Sequence, residues 1–153
     1  MAATAPRFDR MVPAAPETIG ALRRELRRWA RRQGAPSPVQ ANVALAFSEA
    51  CTSLIGPEPP ADGVSRPLMV QAWADAEQLG VRVSHGSRGA PSPPVGVGYG
   101  FSLALLARIC DRFEIRRRDD RPGTAVLMTF SLEPEQLPAR SSPRPPSRST
   151  TRR

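Results

Sequence analysis

The sequence predicts an α/β fold: a two-layer sandwich with a mostly antiparallel mixed sheet and helices on one face. Three observations carry this. Two stretches of helical periodicity open the folded part of the chain. Two pairs of alternating stretches follow, and a third helical stretch separates the pairs. Segregated strand pairs with intervening helices pack as one sheet covered on one side. A doubly wound parallel sheet would need strands alternating singly with helices, and that pattern is not present.

The first helix is expected from about Pro16 to Gln33. Ile19, Leu22, Leu26 and Trp29 recur at spacings of three and four and form one apolar stripe. Arg23, Arg24, Arg27, Arg28, Arg31 and Arg32 cover the other faces, and Gly34 stops the helix. A second helix should begin at Ser37, with Pro38 in its first turn and Gln40 in capping-box position. Val39, Val43, Leu45, Ala46, Phe47, Ala50 and Leu54 make it apolar on most sides, so it should be central. It ends near Gly56-Pro57, and PEPPADGVSRP forms a loop.

Leu68, Val70 and Ala72 alternate with Met69, Gln71 and Trp73. Leu79, Val81 and Val83 alternate with Gly80, Arg82 and Ser84. The short link Asp75-Ala76-Glu77 makes the two a hairpin. A glycine- and proline-rich loop runs from His85 to Gly100. The third helix is expected over Phe101 to Asp111, with Leu103, Leu106, Ala107 and Cys110 facing inward. The last strands are Phe113–Arg118 and Thr124–Leu132, joined by DDRPG. Val126, Met128, Phe130 and Leu132 alternate on the second of them.

The chain has 153 residues, enough for one domain with its own core. Residues 1–15 are expected to be a flexible N-terminal segment and 16–132 the folded domain. Residues 133–153 hold five prolines and five arginines with little to bury, so that tail is expected to be disordered. Net charge is +8, carried entirely by arginine: the chain has no lysine. Phosphate chemistry that needs a lysine, as in a P-loop or a protein-kinase strand, is therefore excluded. The mild basic excess does not by itself imply nucleic acid, and no aromatic set is evident to stack bases. The arginines of the first helix read either as a solvated face or as a docking face for an acidic partner.

Cys51 and Cys110 sit in apolar helical segments and read as free buried thiols. With His85 they lack zinc-ligand spacing. No apolar run approaches the ~20 residues that span a bilayer, and MAATAPRFDRMVPAAP has no signal-peptide core. A cytoplasmic protein, with no membrane partner, is the expectation.

Four patches stand in a fixed order. SEACTSLI (48–55) lies late in the central helix. VRVSHGSRG (81–89) runs from a strand into a glycine turn. GVGYGFSLALLARICDRFEI (96–115) leads from glycines into helix and strand. PGTAVLMTF (122–130) opens the last strand with Gly-Thr. Together these resemble the GHKL (Bergerat) ATPase domain, specifically the anti-sigma-factor serine/threonine kinase family, over about residues 16–132.

The resemblance implies a GHKL-type sandwich that binds ATP and Mg²⁺ and phosphorylates a serine on an antagonist protein. Its catalytic glutamate falls on Glu49, and its metal-binding asparagine on Ser53. A hydroxyl is a shorter ligand than an amide oxygen, though Mg²⁺ keeps several waters and one could bridge. The aspartate that accepts from the adenine amino group falls on His85, and the two following glycines on Ser87 and Gly89. Gly86 leaves that register open by one residue. Replacing a charged acceptor by an imidazole is expected to weaken binding by about 1.5–3 kcal/mol, roughly 10–100-fold. Gly96, Gly98 and Gly100 precede a helix whose amides can hold phosphate. Gly123 and Thr124 match the last box, where the threonine hydroxyl helps hold the adenine.

The resemblance therefore implies a partner-switching regulator of transcription, with a sigma factor or an antagonist of the anti-sigma factor as partner. Homodimers are common in the family. His85 and Ser53 keep an alternative open, a non-catalytic interaction module that has lost ATP binding. Nucleic-acid binding through the arginines ranks last and would show steep salt dependence.

Overall fold

A computed structural model describes residues 7–55, 63, 66–86, 104–118 and 123–133. Its elements are β1 (Arg7–Val12), α1 (Pro16–Arg32), α2 (Ser37–Ile55), β2 (Leu68–Ala74), β3 (Gln78–His85), α3 (104–109), β4 (Arg112–Arg117) and β5 (Thr124–Ser131). The strands form one sheet in the order β1-β2-β3-β5-β4, and all four pairings are antiparallel. The result is the α/β two-layer sandwich expected of a GHKL-type domain.

Strand register sets which residues face the helices. Val70 pairs with Val83, Ala72 with Val81, and Ala74 with Leu79, and all six are buried. Val126, Met128 and Phe130 continue these rows on β5. Leu22, Leu26 and Trp29 of α1 and Val43, Ala46, Phe47, Ala50 and Cys51 of α2 pack on that face. The alternation of β2 and β5 read from the sequence is thus the alternation between core and far side.

α1 begins with Pro16 at its first position, where a missing N–H costs nothing. Gln33 and Gly34 close it through bonds to the Trp29, Ala30 and Arg31 carbonyls, and Gly34 has φ +88°. α2 departs from the expected capping box. The Gln40 amide N–H donates to the Pro36 carbonyl, and its side chain donates to Ala35 O at 2.9 Å. Pro36 therefore holds the cap position, and Gln40 ties the helix to the inter-helix turn.

Two further expectations are corrected. The segment read as flexible, 1–15, contains strand β1, paired along its length with β2. Phe8 is buried against Trp29, with ring centroids 5.9 Å apart. Arg10 lies over the Phe8 ring at 4.6 Å and binds Glu25 of α1. In α3, Ala107 is exposed, and Ile109 takes the core contact beside Leu106 and Cys110. The start of that helix, residues 119–122 of the DDRPG turn and the tail beyond Glu133 lie outside the described residues. The link between β2 and β3 matches expectation: Asp75 accepts from the N–H groups of Glu77 and Gln78 at 2.8 and 2.9 Å. Those bonds hold its carboxyl below the usual range.

Candidate functional site

The candidate residues fall on three elements. Glu49 and Ser53 are both half-buried on α2, and their i, i+4 spacing places them one turn apart on one side of the helix. His85 ends β3 on the helix-facing side, opposite Leu68 on one neighbour and Thr124 on the other. Gly123 immediately precedes β5.

The structure joins His85, Gly123 and Thr124 at one end of the sheet. Gly123 has φ +143°, and a Cβ there would run into the His85 carbonyl. The Gly86 Cα and the Arg118 Cδ would each lie 3.0 Å from it. Only glycine meets both demands, the positive φ and the close approach of two backbones. The Arg118 N–H donates to Gly123 O at 3.0 Å and closes the β4–β5 connection. Arg118 therefore borders this end of the sheet, a role that its place in a run of three arginines did not suggest.

His85 is half-buried, and its ring faces backbone acceptors. Nε2 lies 3.2 Å from the Arg66 carbonyl, so Nε2 carries the proton. The Leu54 carbonyl, in the last turn of α2, lies near enough to the ring to favour its charged form. Burial pushes the imidazole below its ordinary pKa of 6.5; the Arg66 carbonyl opposes this, the Arg66 charge adds to it, and the Leu54 carbonyl opposes it weakly. The ring thus ties β3 to the segment entering β2 and sits near the last turn of α2. Sequence reasoning missed this, because the partner is a main-chain atom beyond the hairpin.

Ser53 is the neighbour of Leu54, so the contact with His85 brings the α2 position and the β3–β5 end toward one another. Ser87, Gly89, Gly96, Gly98 and Gly100 lie outside the described residues. Among the described residues no group of three or more His, Cys, Asp or Glu is arranged to hold a metal ion. Neither cysteine joins the site: burial pushes the Cys51 and Cys110 thiols up to about 12.

This set fits ATP with Mg²⁺ only in part. Glu49, Gly123 and Thr124 keep the residue types that the resemblance expects at their positions. At His85, where the resemblance puts the adenine acceptor, stands a ring whose N–H is spent on the Arg66 carbonyl. At Ser53, where the resemblance puts the metal-binding asparagine, stands a single hydroxyl.

No helix among the described residues is long and apolar enough to cross a membrane. No curated protein sequence matches the chain. A family model does: residues 12–130 match the histidine kinase-like ATPase domain, from the end of β1 to the end of β5, and the chain belongs to that family.

Proposed function

We propose that the protein is an anti-sigma-type regulator that acts by partner switching in the control of transcription, on an ATPase scaffold whose nucleotide site is weakened. The observation that carries this is the state of His85. The resemblance to the family puts an acidic acceptor at this position, and here Nε2 of the ring donates to the Arg66 carbonyl. A purine amino group would find no carboxylate there. Glu49 would be the base that activates a partner's serine hydroxyl, Ser53 the residue at the metal position, and Gly96, Gly98 and Gly100 the cover of the phosphates. The partners would be a sigma factor or its antagonist, in the cytoplasm.

Calorimetric titration of the full chain with ATP, with and without Mg²⁺, tests the reading. Weak, Mg²⁺-dependent binding is expected, tightened by about 10–100-fold in His85→Asp, which restores a charged acceptor. The reading fails if His85→Asp leaves affinity unchanged while the parent binds tightly. A second reading is a non-catalytic interaction module, favoured by the same imidazole and by Ser53. It requires that neither the parent nor His85→Asp binds ATP, and that partner binding survives Glu49→Ala.

A further inference from the structure

α1 carries an excess of charge that the rest of the described chain does not neutralise. Arg24, Arg27, Arg28, Arg31 and Arg32 are all exposed, and none has an ion pair among the described residues. Glu25, the carboxylate in their midst, is taken by Arg10 of β1. The five repel one another. Arg24 stands three and four residues from Arg27 and Arg28, Arg27 four from Arg31, and Arg28 three and four from Arg31 and Arg32.

An apolar side chain lies beside this charge. Arg23 Nη1 reaches Ser48 Oγ of α2 at 3.4 Å, which fixes where the two helices meet. Leu45, one turn before Ser48, is 42% exposed and is one of two exposed large hydrophobic residues among those described. α1 and α2 are consecutive and joined by a short turn, so they run antiparallel. Arg27, one turn after Arg23, therefore comes level with Leu45. The outer face of the α1–α2 hairpin thus presents an exposed leucine beside Arg27, at the edge of the arginine row.

We infer that this face is a docking surface for an acidic, leucine-bearing helix of a partner protein. Guanidinium groups without internal partners complement carboxylates, and an exposed leucine among them gives the contact an apolar centre. A phosphate backbone would leave Leu45 unused. A membrane surface would want an apolar stripe, and that of α1 is buried in the core as Leu22, Leu26 and Trp29. The inference rests on the reading that the chain works through protein partners, and it does not depend on nucleotide.

The test uses the full chain without nucleotide and a fluorescent amphipathic peptide bearing glutamates and a leucine stripe at helical spacing, read by anisotropy. A short duplex DNA is the second probe. Peptide affinity should fall roughly tenfold in Arg24→Glu/Arg27→Glu and measurably in Leu45→Ser. It should fall less than about twofold in Arg112→Glu/Arg116→Glu, which makes the same charge change at exposed positions of β4. Equal losses in the two double variants, or no loss in Leu45→Ser, would reduce the effect to bulk charge and overturn the inference. Tighter binding of the duplex with the same dependence on α1 would overturn it in favour of a nucleic acid. ATP titration of the same variants separates this surface from the nucleotide site, since retained ATP binding with lost peptide binding isolates the failure to α1.

Discussion

α1 and α2 are neighbours of similar length with opposite designs. α1 has a narrow apolar stripe and gives the rest of its surface to arginine. α2 is apolar on most sides, buries Val43, Ala46, Phe47, Ala50 and Cys51, and lies over the central strands β3 and β5. The candidate chemistry is on α2, where Glu49 and Ser53 are held half-buried by the packing around them. The candidate recognition surface is on α1, where the side chains are free to meet another molecule. Burial positions a reacting group, and exposure presents a binding group.

The largest expected effect breaks this contrast from the inside. Phe47 of α2 is fully buried. Phe47→Ala should destabilise the fold by about 3–5 kcal/mol, through lost burial and the cavity left behind. On the outer face of α1, Arg24→Ala should change stability by less than about 0.5 kcal/mol. Urea unfolding of the two variants measures the difference directly. Similar losses in both would mean that α1 is held by its arginines, and the contrast would be wrong.

How legible the two regions were from sequence follows from the same physics. The stripes of α1, β2 and β5 are periodic, because one side of each meets the core. β1 escaped because its inward positions are Phe8, Arg10 and Val12, and the arginine interrupts the alternation. Arg10 is tolerated there because its guanidinium covers Phe8 and binds Glu25 at the sheet edge. Phe8 and Val12, four apart on the inward side, were the available signal. Gly123-Thr124 beside His85 was readable, since antiparallel register and a strand-opening Gly-Thr place them together. The Arg66 carbonyl was not, because a main-chain acceptor leaves no mark on residue type.

His85 sharpens the comparison with a pH effect of intermediate size. Burial holds its folded-state pKa below the unfolded value of 6.5. The unfolded chain therefore binds the proton more readily, and stability rises with pH across this window. The contribution is complete above pH 6.5 and is lost as pH falls from there through the folded pKa. Unfolding midpoints measured across that window should slope less in His85→Gln than in the parent. Equal slopes would mean that another group carries the titration, and that the link from β3 to the segment entering β2 is indifferent to charge.

The smallest effect concerns α1 and has the opposite sign. Arg27 has like-charged neighbours at Arg23, Arg24 and Arg31, spaced four, three and four residues away. Arg27→Glu turns three repulsive pairs into attractive ones, each worth about 0.2–0.5 kcal/mol. Arg27 stands more than a turn from the end of α1, so the helix dipole barely opposes the change. Taking the low end of that range for exposed, salt-screened pairs, the variant should be more stable than the parent by roughly 1 kcal/mol, read as a higher urea midpoint at unchanged slope, while binding the acidic peptide less well. A helix that becomes more stable as it loses a partner is one whose surface was set by that partner. If Arg27→Glu destabilises the fold, the arginines serve α1 itself, and the division of labour between the two helices is lost.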